Sequence, residues 1–260
     1  MIPAAPLLEV DGLSRRFGGV HAVDGVSFSV GPAEVLGLIG PNGAGKTTVV
    51  NLLSGFLRPD AGVVRLSGEE VTGQPPHRLA VRGLARTYQH IRLFPALTAL
   101  ENVLVGEHAR RRAPLLRRLL MLPEAAREDA AARERAGALL DELGLRQSAG
   151  VPAGALPYGD RRRLEIARAL ASRPRLLLLD EPAAGMGRAE VDRLIALIRG
   201  LPARGHAVLL IEHNMRAVMT ACDRIAVLNF GRLIAAGTPA AIRANPLVIE
   251  AYLGQEDESA

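Results

Sequence analysis

The amino-acid sequence predicts an α/β fold in which a parallel sheet carries an inserted group of helices. Apolar segments typical of strands alternate with helical patterns towards both ends of the chain, and a long helical stretch separates the two regions. With 260 residues, 48% of them hydrophobic, the chain can bury the core of one large domain. No internal repeat or low-complexity linker interrupts this pattern.

The first half of the chain contains the early strands. The pattern predicts two antiparallel strands over LLEVDGLSRRF and VDGVSFSV, and a short apolar strand ending in glycine over EVLGLIG. A helix is expected over VVNLLSGF. Two more strands are expected over AGVVRLSG and LARTYQH, the last ending at Gln89.

The second half begins with helices and returns to strands. The pattern is helical from Thr98 to about Leu145. Later strands are predicted over RLLLLDE, HAVLLIEH, RIAVLNFG and RLIAAG, with helices between the first three. The acidic end QEDESA is expected to fray.

Composition argues against several classes of protein. The net charge of +5 is mild for this length and gives weak support for nucleic-acid binding. The N-terminus lacks a signal-peptide pattern, and no apolar run reaches the roughly 20 residues of a membrane span, so we expect a soluble chain. The single cysteine, Cys222, cannot form an internal disulfide and is expected to be a small buried hydrophobe.

Lysine usage singles out one position. Of 32 basic residues 31 are arginine, and the only lysine is Lys46. A compact ammonium on a flexible stem differs from the planar guanidinium fork, so we expect Lys46 to have a role that arginine cannot fill. Lys46 belongs to GPNGAGKT, which fits the phosphate-loop pattern G-x-x-x-x-G-K-S/T between a predicted strand and a predicted helix.

In such a loop, backbone N–H groups and the N-terminus of the following helix bind phosphates. Lys46 would reach the β- and γ-phosphates, and Thr47 would place its hydroxyl on Mg²⁺. The alternative is a glycine-rich turn without a ligand, which the strand context and the lone lysine disfavour. The candidate nucleotide-binding residues of the loop are Gly40, Pro41, Asn42, Gly43, Ala44, Gly45, Lys46, Thr47 and Thr48.

Further polar residues follow predicted strands. Asp180 in LLLLDEP could hold Mg²⁺ through water, and Glu181 could orient or deprotonate the attacking water; both could instead cap a helix before Pro182. His213 ends the strand of LLIEHNM and is either structural or a γ-phosphate contact. The amide of Gln89 could bridge Mg²⁺ or water, although this residue alone indicates almost nothing.

The order of these motifs, with the helical insert and LPYGD between them, resembles the nucleotide-binding subunit of an ATP-binding-cassette (ABC) transporter over nearly the whole chain. The resemblance implies a P-loop NTPase (RecA-like) core with an antiparallel β subdomain and an inserted α-helical subdomain. It also implies a Mg²⁺-dependent ATPase in which two subunits pair head to tail around ATP. Phe17 in RRFGGVHAV matches the aromatic residue that stacks on adenine, and core packing is the alternative.

The segment LPYGD occupies the position of the family signature, usually L-S-G-G-Q, whose helix N-terminus faces the γ-phosphate bound by the partner subunit. Only Leu156 and Gly159 match. Proline replaces the serine, so a hydroxyl donor is missing, and Asp160 puts a carboxylate near an anion unless it caps the helix. We expect backbone N–H groups around Gly159 to bind the phosphate, which makes Tyr158, Gly159 and Asp160 candidate contacts.

The helix after the signature contains three arginines, 161–163. Its inward stripe is predicted to be Leu164, Ala167 and Leu170, so the arginines spread around the helix and are solvated or paired, not one nucleic-acid patch. Further on, Gly187 stands where the family commonly carries aspartate. This departure weakens any expectation of communication between the two ATP sites.

The stretches YGDRRRLEIARAL, DEPAAGM, IEHNM and AGTPAAIRANPLVIEAYLG are similar to the ATPase of branched-chain amino-acid (Liv-type) importers. ATPases for urea or short-chain amide uptake and for lipopolysaccharide export are also similar, and a non-transport ABC switch protein is a further alternative. The resemblance implies membrane permease subunits as partners, indirectly a substrate-binding protein, no nucleic acid, and a cytoplasmic location on the inner face of the cell membrane. The residues leave open the transported substrate and whether the dimer is homo- or heteromeric.

The resemblance places one ABC ATPase domain at residues 1–253. Within it, the nucleotide-binding core covers 1–89 and 172–237, the helical subdomain 90–171 and a C-terminal helical tail 238–253, followed by a flexible acidic end at 254–260. The basic insert 108–136 has an apolar leucine face that suits anionic headgroups, and packing on the cassette itself is the alternative.

Overall fold

The computed structural model describes residues 5–108 and 123–253. The chain forms two compact units, one of Met1–Gln89 with Arg175–Ala260 and the other of His90–Pro174. Both sheets lie in the first unit, and the described elements of the second are helices. The predicted α/β fold with a helical insertion is therefore confirmed.

A six-stranded sheet forms the centre of the first unit. Its strands lie in the order β10 (Arg232–Gly237), β9 (Arg224–Asn229), β3 (Val35–Ile39), β8 (Ala207–Ile211), β7 (Leu176–Asp180) and β6 (Leu84–Arg86). All neighbours are parallel except β10, which is antiparallel to β9. Every residue of β3, β7 and β8 is buried, as in parallel sheets covered on both faces. The carboxyl ends of the five parallel strands therefore share one edge of the sheet.

A second, antiparallel sheet packs on this core. Its strands lie in the order β2 (Val20–Val30), β1 (Leu8–Phe17), β4 (Ala61–Leu66) and β5 (Glu69–Glu70). Apolar side chains of both sheets join those of helix α1 (Lys46–Leu53) in one buried cluster. Because β3 and α1 are both anchored in this cluster, the loop that joins them has two fixed ends.

The remaining described α-helices are divided between the two units. In the first unit they are α2 (Pro76–Val81), α6 (Arg188–Gly200), α7 (Met215–Ala221), α8 (Pro239–Arg243) and α9 (Pro246–Leu253). In the second unit they are α3 (Ala99–Glu107), α4 (Pro123–Glu142) and α5 (Tyr158–Ala171). Residues 109–122, with the leucine face of the predicted basic insert, and the acidic end 254–260 lie outside the described residues.

The second unit is held by caps and ion pairs. α3 begins with a capping box, in which the Thr98 hydroxyl accepts from the Glu101 amide and the Glu101 carboxylate accepts from the Thr98 amide. The buried carboxylate of Glu107 accepts two hydrogen bonds from Arg135 of α4, both of 2.9 Å. The predicted inward stripe of α5 is buried, with at most 3% of each side chain exposed.

Two predicted strands end earlier than expected. β6 pairs with β7 only as far as Arg86, three residues before Gln89, because Thr87 makes the last bond to β7 and the chain then leaves the sheet edge. β8 ends at Ile211, two residues before His213. There the amide of His213 donates to the Glu212 carboxylate, which ends the ladder, and Asn214 caps α7.

The thiol of Cys222 is buried against β3 of the six-stranded sheet. Only 7% of the residue is exposed, and a Cβ atom on Gly37 of β3 would lie 2.9 Å from its Sγ. Burial raises the pKa of the Cys222 thiol to about 12, so it stays protonated near neutral pH. This confirms the prediction of a small buried hydrophobe. Among the helices in the described ranges, none combines the length and the apolar character that crossing a bilayer requires.

Candidate functional site

The loop between β3 and α1 packs closely against two neighbouring strands. Gly40 and Gly45 have φ values of 152° and 100°. A Cβ atom at Gly40 would lie 2.1 Å from the carbonyl oxygen of Leu228, and one at Gly45 would lie 2.4 Å from that of Ala22. Neither position can hold a side chain. The backbone of the predicted phosphate loop therefore lies directly against β9 and β2. A loop that binds phosphate through its backbone N–H groups needs such a fixed backbone.

The N-terminus of α1 offers these amides to an anion. No described side chain caps this end of the helix, and the first four N–H groups of a helix have no acceptor within it. At Gly43, with φ of 77°, a Cβ atom would meet nothing within 4 Å. Free amides, the positive end of the helix dipole and open space fit a phosphate group.

The ammonium of Lys46 lies inside the phosphate loop. Its Nζ donates to the carbonyl oxygens of Gly40 at 2.6 Å and Pro41 at 2.8 Å, and only 8% of the residue is exposed. Burial lowers the pKa of Lys46, and the charge of Glu181 opposes this shift. An arriving phosphate would also favour the charged form, so the residue is placed to exchange carbonyl partners for phosphate oxygens.

Asp180, at the end of β7, is a buried carboxylate with a charged partner. Its Oδ2 lies 2.8 Å from Nη2 of Arg86, and both side chains are at most 8% exposed. Nη1 of Arg86 donates to Asn51 Oδ1 and to Ser54 Oγ, each at 2.7 Å. Arg86 therefore fixes the orientation of the carboxylate predicted to serve Mg²⁺.

Sequence analysis missed Arg86. Its guanidinium lies 5.6 Å from the ring centre of Phe56 and 5.1 Å from that of Tyr88, which adds cation–π contacts to its hydrogen bonds. The sequence held one indication of its role, because Arg86 is a charged residue inside the predicted strand LARTYQH. Its partners could not be found by spacing, because Arg86 and Asp180 are 94 residues apart.

Three predicted catalytic residues meet beyond the ends of β6, β7 and β8. Oε2 of Glu181 accepts a hydrogen bond of 2.9 Å from Nε2 of Gln89 and lies 3.8 Å from Nδ1 of His213. Glu181 has a φ of 46°, an uncommon left-handed conformation for a residue other than glycine. Such conformations concentrate at functional sites, where the surrounding structure holds them.

The alternative that Asp180 and Glu181 cap a helix is wrong. The next helix, α6, begins only at Arg188, and its N-cap residue is Gly187, whose amide donates to Glu190 at 2.9 Å. The residues between form a turn. Asp180 and Glu181 are therefore free of a capping function.

A third carboxylate, which the sequence did not suggest, lies in contact with the loops of Glu181 and His213. Glu212 follows β8 directly and is 1% exposed. Its Oε1 accepts from the amide of Ala183 at 2.7 Å, and its Oε2 accepts from the amides of His213 and Asn214 at 3.2 and 3.3 Å. Burial raises the pKa of Glu212, and these hydrogen bonds oppose the rise.

Phe17 lies at the end of β1 and is 46% exposed. The guanidinium of Arg15 lies 5.1 Å from the centre of its ring. The alternative that Phe17 packs in the core is therefore wrong, and its open ring remains a candidate surface for a base.

The signature segment lies in the second unit, where α5 begins at Tyr158. No described side chain caps this helix, so Asp160 does not act as its cap; instead its Oδ1 lies 2.5 Å from Nη2 of Arg163. Gly159 is buried, and Tyr158 is 38% exposed. Arg162 is also buried and pairs with Glu165 at 3.4 Å, so two of the three arginines are paired as predicted.

The carboxylates near the phosphate loop do not make a metal site by themselves. Within the described ranges there is no group of three or more His, Cys, Asp or Glu side chains that could hold a metal ion. Mg²⁺ in nucleotide sites is usually bound by one or two protein groups together with phosphates and water. Thr47, exposed on the first turn of α1, and Asp180 fit that pattern.

Comparison with known proteins agrees with this geometry. The ABC transporter family model matches residues 23–184, and the model of the branched-chain amino acid ATP-binding cassette transporter matches 232–258. The high-affinity branched-chain amino acid transport ATP-binding protein BraF of Pseudomonas aeruginosa is 50% identical over 251 residues, which cover 96% of this chain and 98% of BraF. The corresponding protein LivG of Escherichia coli K12 is 47% identical over 253 residues, with coverage of 96% and 98%.

A solved structure gives the same result for the fold. The ADP conformation of an ATP-binding cassette of an ABC transporter matches with a TM-score of 0.83 at 32% identity, over 96% of this chain and 100% of that one. Because one family model covers more than half of the chain and relatives share up to 50% identity over nearly all of it, this chain belongs to the ABC transporter family.

Proposed function

We propose that this chain is the ATP-hydrolysing subunit that energises a membrane permease for the import of branched-chain or related amino acids. The observation that carries the proposal is the meeting of Gln89, Glu181 and His213 at the strand-end edge of the sheet, with Glu181 close enough to influence the pKa of Lys46. That arrangement suits phosphoryl transfer, which depends on positioning and charge neutralisation. The names of BraF and LivG support branched-chain amino acids as cargo.

Each site residue has a separate role in ATP binding or hydrolysis. The backbone N–H groups of residue 43 and residues 45–48, together with the Lys46 ammonium, hold the β- and γ-phosphates, while the open ring of Phe17 stacks on adenine. Thr47, Asp180 and Gln89 would hold Mg²⁺, which when bound neutralises phosphate charge. Glu181 takes a proton from the attacking water.

Three side chains lie against that base or the metal-binding carboxylate. Gln89 donates to Oε2 of Glu181, and Nδ1 of His213 lies 3.8 Å from the same oxygen, where the imidazole would contact the γ-phosphate. Arg86 keeps Asp180 in one orientation. Together these contacts give the base and the carboxylate fixed orientations, as electrostatic stabilisation of a transition state requires.

Residues 1–253 would form one ABC ATPase domain. The active assembly would be a homo- or heterodimer of such domains. In it the amides at the N-terminus of α5, around Tyr158, Gly159 and Asp160, face the γ-phosphate held by the other subunit. The ion pair with Arg163 lowers the charge that Asp160 presents there. The dimer would sit on permease subunits at the inner face of the cell membrane, fed by a substrate-binding protein and without nucleic acid.

Transport in reconstituted vesicles tests this function. The chain, with the permease subunits that purify with it, is placed in vesicles and supplied with a binding protein loaded with leucine, isoleucine or valine. We expect ATP-dependent uptake and faster phosphate release. Uptake of urea or short-chain amides in place of these amino acids would contradict the proposed cargo, and absence of phosphate release would indicate a nucleotide switch.

Substituting Gly159 tests the role of the signature amides. We expect Gly159→Asp to abolish hydrolysis, because a carboxylate at this buried position repels the γ-phosphate, and to leave nucleotide binding by the isolated subunit intact. Phosphate release and fluorescent-nucleotide titration measure the two effects. Gly150→Asp is the matched control, since Gly150 lies in the same unit and a Cβ there meets nothing within 4 Å. Unchanged turnover in Gly159→Asp would contradict the assignment.

A further inference from the structure

Glu212 is a buried carboxylate that the proposed chemistry does not use. Its two oxygens accept three backbone hydrogen bonds, one from Ala183 after the candidate base and two from His213 and Asn214. We propose that Glu212 is a positioning residue that holds the loop of Glu181 and the loop of His213 in a single arrangement. The inference rests on the proposed ATP hydrolysis and adds a residue to its machinery.

The loop of Glu181 needs such support. Glu181 has a left-handed φ of 46° and precedes Pro182, and a residue before proline is further restricted in its backbone conformations. Pro182 has no N–H group, so the flanking amides carry the attachment. The amide of Glu181 donates to Ile211 O at 2.9 Å, and that of Ala183 donates to Glu212 at 2.7 Å.

The loop of His213 is attached to the same carboxylate. The His213 side chain is 60% exposed, so packing alone does not determine where the imidazole points. Its backbone is fixed by the two amides bound to Oε2 of Glu212 and by Asn214, whose side chain accepts from the Ala217 amide at 3.1 Å and caps α7. Loss of Glu212 would therefore remove an attachment from each loop at the same time.

A carboxylate suits this place better than an amide. Ionised glutamate only accepts hydrogen bonds, so both oxygens can face N–H groups. Glutamine has the same shape, but its NH₂ group would face at least one backbone donor and leave that donor unpaired. The Glu212→Gln change is therefore a small substitution aimed at the contact itself.

The first test separates positioning from stability. In the dimer we expect Glu212→Gln to lower kcat about 10- to 100-fold, the size of effect that misplacement by about 1 Å can have, with KM for ATP nearly unchanged. The control is Glu107→Gln, which disturbs a buried carboxylate bound to Arg135 in the other unit. It should lower the melting temperature without changing kcat of the folded protein. Equal kcat in Glu212→Gln and wild type would overturn the proposal.

The second test does not depend on turnover. Amide exchange followed by NMR on the full chain should show faster exchange in Glu212→Gln at Ala183 or at Asn214, whichever faces the new NH₂ group, and unchanged exchange in β3 and β9. If one of these amides loses protection and kcat stays at the wild-type value, Glu212 is only a structural cap and the proposal fails. A wild-type protein that releases no phosphate would instead refute the proposed function, whatever the amides show.

Discussion

Glu181→Gln should lower ATP turnover by about 10²- to 10⁴-fold, the usual contribution of a general base. The substitution keeps the shape of the side chain and removes its ability to take a proton. Nucleotide binding should persist, because the phosphate loop and Lys46 are untouched. The ATP-bound dimer should therefore accumulate.

Phosphate release and gel filtration in the presence of Mg·ATP measure the two parts of this result. Glu69→Gln is the control, since it removes a carboxylate that is 69% exposed in the same unit. Dimers of Glu181→Gln that hydrolyse ATP at the normal rate would show that another group is the base.

Lys46→Ala should weaken binding of Mg·ATP about 10- to 100-fold. A hydrogen bond to a charged group contributes about 1.5–3 kcal/mol, and the truncated side chain cannot replace the ammonium that now lies between Gly40 O and Pro41 O. Lys46→Arg should also bind poorly, because the planar fork does not fit a buried site shaped for a compact ammonium.

Titration with a fluorescent ATP analogue at fixed ionic strength measures this loss. Arg78→Ala, on an exposed position of α2, removes the same amount of charge from the surface and should leave the affinity unchanged. If Lys46→Ala binds as tightly as the wild-type protein, the phosphate-loop assignment is wrong.

The sequence was sufficient where the pattern is local. Glycine spacing and a preceding apolar run define the loop before Lys46, and the strand that ends at Asp180 is apolar from Leu176 to Leu179, so both were predicted at the correct place. The ends of β6 and β8 were misplaced, because the end of a strand depends on which partners still accept its amides.

Contacts between distant segments could not be predicted. Glu212 and Ala183 are 29 residues apart, and Arg86 and Asp180 are 94 apart, so no helical or strand period connects them. The exposure of Phe17 likewise depends on which elements cover the end of β1. By contrast, Asp160 and Arg163 have the i,i+3 spacing of a helical ion pair, so this contact has a local signal in the sequence.

The buried ammonium of Lys46 also makes the protein suitable for amine-directed labelling. It is the only lysine in the chain, and burial lowers its pKa, so more of it is the neutral nucleophile than for an ordinary lysine at the same pH. An amine-directed reagent would therefore modify one side chain besides the terminal amine, and a phosphate bound to Lys46 should protect that side chain. Mass spectrometry of protein labelled with and without Mg·ATP would report whether the loop is occupied, without an introduced tag.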